Sequence, residues 1–165
     1  MDKNAIKKYA TWARKELISR VAQKAQQYGI TETEMVDAGA DSVNGKVLSA
    51  EEMQQRRALI AQINEKGYQQ VMEEVAYTWF NRFSALRFME VNDYLPSHLR
   101  VLSSESGKVE PDLVTTPFDA ELPFTAEEEA QIIQWKQDNK LDELFRFLFI
   151  KQCNALNEIL PGLFE

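Results

Sequence analysis

Apolar positions recur along this chain with a helical period, not an alternating one. Ile6, Ala10, Ala13, Leu17, Val21 and Tyr28 share one face of a helix predicted over residues 2–28, with Lys8 and Lys15 on the opposite side and Gly29 as the C-cap. A short helix is expected at 31–38, and the segment VDAGADSVNG at 36–45 reads as turns. Ser49 followed by Glu52 is a capping-box pattern, so a helix opens at 50 and runs to about Lys66. Gly67 either separates it from the next helix or is carried through. Residues 68–91 hold the densest stripe: Val71, Val75, Trp79, Phe83, Leu86 and Met89, with Tyr77, Phe80 and Phe88 on other sides. A helix that is aromatic all round is expected to be buried all round.

Residues 93–124 show no period and contain Pro96, Pro111, Pro117 and Pro123. They read as a long loop with short extended pieces near Leu99–Leu102. Thr125 and Glu128 form a second capping box, opening a helix through about Lys136 that Asp138-Asn139 ends. The last helix covers 140–160 and closes at Pro161-Gly162. Its polar strip is interrupted by Phe147 and Ile150. The expected fold is all-α: one domain over 1–165, an irregular bundle of five or six helices with a long Pro-containing loop.

At 165 residues and 44% apolar composition, the chain can build a real core. No apolar run reaches the roughly 20 residues of a membrane helix. The opening MDKNAIKKYATWARKEL lacks the features of a signal peptide. A single cysteine excludes an internal disulfide framework and a Cys-rich zinc site, so a cytoplasmic location follows by default. The net charge of −7 is uneven: residues 1–24 carry seven basic and two acidic side chains, +5, which leaves −12 for the rest. An acidic chain is a poor stand-alone nucleic-acid binder, yet its basic first helix can still meet phosphate.

The sequence holds no Gly-rich cofactor turn, P-loop or paired-histidine metal motif. His98 reads as a surface residue and Cys153 as a small buried hydrophobe. The run Glu127-Glu128-Glu129 suits a helix N-terminus. Arg82 is unusual, because it interrupts an apolar stripe. A buried guanidinium needs a partner, such as Glu73, Glu74 or a carboxylate on another helix. Lys8, Arg14, Lys15, Arg82 and Arg87 are therefore the candidates for contact with DNA or a partner. Two helices carry more apolar surface than a chain of this length easily covers. Phe80, Phe88, Phe147 and Ile150 are the candidates for an interdomain surface, as expected of a piece of a larger protein.

Two stretches sharpen this reading. VAYTWFNRFSALRFMEVNDYLPSHLRVLS (75–103) resembles the N-terminal region of the adenine-specific methyltransferase of the BREX phage-exclusion system, the PglX family. LFRFLFIKQCNALNEILPGLFE (144–165) resembles a second segment of the same proteins, and KKYATWARKELISRV (7–21) is similar in kind to their start. The resemblance implies a parent enzyme that moves a methyl group from S-adenosylmethionine to N6 of a flipped-out adenine in double-stranded DNA. It also implies a Rossmann-like catalytic domain downstream, and other defence-system subunits as partners. The Asn/Asp-Pro-Pro-aromatic motif of such enzymes has no counterpart here, since all five prolines are isolated. This segment is accordingly expected to hold no cofactor and no catalytic residue. The rival reading is a stand-alone helical interaction module without enzymatic role. A small DNA-binding protein fits less well, given the acidic balance.

Overall fold

Asp2 opens the first helix: its carboxylate accepts from the backbone N–H groups of Asn4 (2.9 Å) and Ala5 (3.2 Å), two donors a helix start leaves without partners. The computed structural model describes residues 2–164. Its helices are α1 (Lys3–Gln27), α2 (Ala50–Lys66), α3 (Tyr68–Val91), the single turn α4 (Asp112–Thr115), α5 (Ala126–Gln137) and α6 (Leu141–Ile159). A two-stranded hairpin, Ser42–Val43 with Lys46–Val47, and a 3-10 turn, Pro117–Ala120, complete the list. The fold is all-α, with capping boxes at both Ser49/Glu52 and Thr125/Glu128. The chain divides into two compact units, residues 1–80 and 81–165, and the division falls within α3.

In the first unit, Ala25, Ile30, Ile60, Ile63, Val71 and Met72 form a buried cluster, with Val21, Leu59 and Val75 packed against it. On α1 only the C-terminal part of the expected apolar face is enclosed. Ala13 is buried, Leu17 and Val21 are half-buried, and Ile6 is exposed. Gly29 (φ +69°) ends α1 in a Schellman turn. Its own N–H donates to the Gln26 carbonyl (3.0 Å), and that of Ile30 donates to Ala25 (3.1 Å). A Cβ on Gly29 would lie 2.7 Å from Val36 Cγ2, so both conformation and space call for glycine. Ile30 is fully buried there.

The short helix expected at 31–38 does not form. Thr31 and Glu34 close a turn through the Thr31 hydroxyl, Ile30 bridges to Met35, and Asp37 accepts from Gly39 N–H (2.7 Å). Local side-chain hydrogen bonds of this kind compete with helix formation. The hairpin beyond turns on Asn44-Gly45, both at positive φ. Asn44 Nδ2 also donates to the last carbonyls of α1, at Gln26 and Gln27 (3.2 Å each). Gly67 (φ +93°) does separate α2 from α3.

Glu52 ties three of these elements together. It accepts from Ser49 N–H (2.9 Å), Tyr28 Oη (2.9 Å) and Lys46 Nζ (2.6 Å). Foremost the Lys46 bond, then those from Ser49 and Tyr28, draw its carboxyl down to about 2. A carboxylate depressed by folding stabilises above its unfolded value of 4.5 and loses that effect as pH falls toward 2. Thermal melts of the parent chain and Glu52→Gln should therefore differ at pH 7 and converge between pH 4.5 and 2. A gap that stays constant over that interval would refute the assignment.

The second unit is built on α6, with α4 and α5 against it. Leu144, Leu148 and Leu156 recur at helical spacing on its buried face, with Phe149 and Cys153 beside them. Residues 93–124 are far from structureless. Asp112 N–H donates to the Ser103 carbonyl (3.1 Å) and Leu113 N–H to that of Arg100 (3.0 Å). The Asp112 carboxylate accepts from Ser104 Oγ (2.7 Å) and Glu105 N–H (2.9 Å). Where an extended piece is expected near 99–102, residues 99–100 take no regular structure and 101–103 are bends; Val101 is fully buried.

Candidate functional site

Helical geometry gathers Asn4, Lys7, Lys8, Thr11, Trp12 and Lys15 on one side of α1, where they line a shallow open groove. The buried Ala13 lies on the other side, so the groove faces outward. Trp12 is 59% exposed, and its ring lies 5.9 Å from that of Tyr9, itself exposed. Lys7, Lys8 and Lys15 make no ion pair among the described residues. Arg14 differs: its guanidinium is 2.8 Å from the Glu73 carboxylate. Lys8 and Lys15 were readable from helical spacing. Trp12 was not singled out, although it lies one turn beyond Lys8.

Arg82 is half-buried. In the first unit, Glu73 meets Arg14 and Glu74 meets Lys66 (2.8 Å each). The Arg82 charge is felt at Cys153, where it opposes a larger effect: burial pushes the thiol up to about 11. A thiol that is buried and protonated at neutral pH is a poor nucleophile. Arg87 is engaged within the second unit, with Nη1 2.6 Å from Glu90 Oε1 and 3.0 Å from Ser103 Oγ.

The buried charges missed by the sequence reading are Arg56 and Glu90. Arg56 donates to the carbonyls of Tyr28 (2.8 Å), Val36 (2.5 Å) and Asp37 (2.7 Å). Glu90 accepts from Val101 N–H (3.0 Å), Leu102 N–H (2.8 Å), Ser103 Oγ (3.0 Å) and Arg87. Each fixes a loop to a helix, and both are structural. His98 is exposed, 2.8 Å from the exposed Asp93. Glu128 bonds Lys151 (2.7 Å), so one member of the acidic run is part of a tertiary link.

The four candidate interdomain residues differ in their surroundings. Phe88 is 59% exposed and, with Met89, Tyr94, Leu156, Ile159 and Leu160, lines an apolar hollow of the second unit. Phe147 instead stacks on Phe124 (6.3 Å) and packs against Trp135 (5.6 Å). Ile150 and Phe80 are half-buried. Among the described residues there is no group of three or more His, Cys, Asp or Glu side chains that could hold a metal ion. No helix among them is long and apolar enough to cross a membrane.

Comparison with known proteins gives this arrangement a context. The chain is 40% identical over 187 aligned positions to the adenine-specific methyltransferase PglX of Lacticaseibacillus casei (strain Zhang). It is 31% identical over 175 positions to the adenine-specific methyltransferase BrxX of Escherichia coli O9:H4 (strain HS). Both matches take in the whole of this chain, which spans only 16% and 14% of the two relatives. No protein-family model matches. The similarity first read from residues 7–21, 75–103 and 144–165 thus extends from end to end.

Proposed function

We propose that this chain, alike throughout to a segment of the PglX-type adenine-specific methyltransferases, is the helical N-terminal segment of such an enzyme. The parent transfers a methyl group from S-adenosylmethionine to N6 of adenine at a specific DNA site, as part of a phage-defence system. The carrying observation is the end-to-end match to a small fraction of two adenine-specific methyltransferases. The segment's role is to support a Rossmann-like catalytic domain, not to perform the transfer. Its sequence lacks the Asn/Asp-Pro-Pro-aromatic motif that would hold the adenine amino group and stack on the base.

The apolar hollow around Phe88 supports the supporting role. Exposed rings are a cost of about 25 cal/mol per Å² of apolar surface, which contact with further protein removes. The test compares this chain with the full-length protein that carries it. Calorimetry with S-adenosylmethionine and a tritium methyl-transfer assay on duplex DNA should both be positive for the full-length protein and negative for the chain alone. Saturable micromolar cofactor binding by the chain would sink the non-catalytic assignment. A full-length protein that leaves adenine unmethylated would sink the enzymatic one.

A further inference from the structure

Several cations of the first unit are spent internally: Arg14 and Arg20 on α1, Lys46 in the hairpin and Lys66 on α2 each meet a carboxylate. Lys7, Lys8 and Lys15 are not, although the chain carries 26 acidic residues against 19 basic ones. Like charges gathered on one helix repel, and none of these three ammonium groups forms an ion pair among the described residues. In their midst stands Trp12, a large ring left mostly in water. Unspent cations around an exposed indole make a surface for a polyanion with apolar sugars between its charges.

We infer that the Lys7, Lys8, Trp12 and Lys15 face of α1 binds the sugar-phosphate backbone of duplex DNA. This rests on the methyltransferase reading for the choice of DNA. Lys8 and Lys15 are two turns apart, roughly 10 Å along the helix axis. Each strand of a duplex carries a charge for about every 3.4 Å of its axis, so two ammonium groups at this spacing can reach separate phosphates of one backbone. Trp12 would then lie against the deoxyriboses between them. A membrane surface fits less well. A helix lying in lipid needs a continuous apolar stripe, and here Asn4 and Thr11 separate the lysines.

The experiment uses the full-length protein and a mixed-sequence duplex lacking any methylation site, titrated by fluorescence anisotropy across a salt series. Lys8→Gln with Lys15→Gln should weaken binding about tenfold and reduce the log–log salt slope by about 2, one unit per lost phosphate contact. Lys8→Arg with Lys15→Arg should restore both. Trp12→Ala should weaken binding roughly fivefold and leave the slope unchanged. Circular dichroism and S-adenosylmethionine affinity should be unaltered in all of them. An unchanged affinity and slope in the double glutamine variant overturns the proposal. So does loss of binding to vesicles of anionic phospholipid with DNA binding intact. A shifted salt slope in a protein that methylates no adenine keeps the DNA contact while removing the enzymatic reading, so the two failures are separable.

Discussion

Arg56→Ala should lower the stability of this chain by about 3 kcal/mol or more, because the guanidinium satisfies three backbone carbonyls at once. The residue is 3% exposed, and its partners at Tyr28, Val36 and Asp37 flank the irregular segment after α1. Hydrogen bonds from a charged donor contribute more than neutral ones, and a buried acceptor left without a partner carries its whole desolvation cost. Arg56→Lys keeps the charge but replaces a planar fork with a single point donor, so it should recover less than half the loss. Arg56→Met keeps much of the volume without any donor and should resemble Arg56→Ala. Urea denaturation of the four chains gives the ranking. Amide exchange should speed up between residues 28 and 48 in the variants. An alanine variant within 1 kcal/mol of the parent would show that the three bonds are dispensable.

That this residue escaped the sequence reading has a physical reason. Arg56 stands beside Arg57 and directly after Gln54-Gln55, a polar run in which a cation reads as solvated. Its partners are main-chain carbonyls, which leave no mark in the sequence. Arg82 drew notice because it breaks an apolar stripe, yet it is only half-buried. The long helices were legible because each carries its period, caps or breakers within its own length: Ser49 and Glu52, Gly67, Thr125 and Glu128. The hairpin at 42–47 was missed because two-residue strands have no period, although Asn44-Gly45 is a hairpin signal. The stripe on α3 was legible only in part. Val71 and Leu86 are fully enclosed, but Met72 and Ala76 share that burial, while Val75, Trp79, Phe83 and Met89 are half-buried.

The surfaces show the same division. Lys8 and Lys15 could be placed from spacing alone, because both are set by one helix. The engagement of Arg14 could not, since Glu73 is 59 residues away. Phe147 looked like an intruder on the polar strip of α6. Phe124 and Trp135 cover it, and both come from segments whose position depends on the fold. An unpartnered apolar residue on a helix is thus a weaker sign of an outside interface than the hollow around Phe88, where several elements converge and the rings stay exposed.

The order of the segment after α3 should depend on one carboxylate. Glu90 has a fully enclosed side chain, and its two oxygens take four hydrogen bonds. Oε2 receives the N–H groups of Val101 and Leu102, and Oε1 receives Arg87 and the Ser103 hydroxyl. Glu90→Ala strands the buried amide of Val101 and leaves a cavity, so a loss of about 3–5 kcal/mol is expected. Glu90→Gln should cost less, about 1–3 kcal/mol. Its carbonyl can still serve the two amides, the Ser103 hydroxyl can turn to accept from the new NH2, and Arg87 can swing into water. Arg87→Ala should cost less than Glu90→Ala, because three donors remain on the carboxylate. Both ends of this clamp lie within residues 75–103, the stretch that first pointed to a methyltransferase family. Loosening it should release the bends at 101–103 and, through the Arg100 and Ser103 carbonyls, α4. Denaturation midpoints with amide exchange at Val101 and Leu102 check the order. A glutamine variant equal to the parent, or an Arg87→Ala loss exceeding that of Glu90→Ala, would mean that the carboxylate is not what holds this segment.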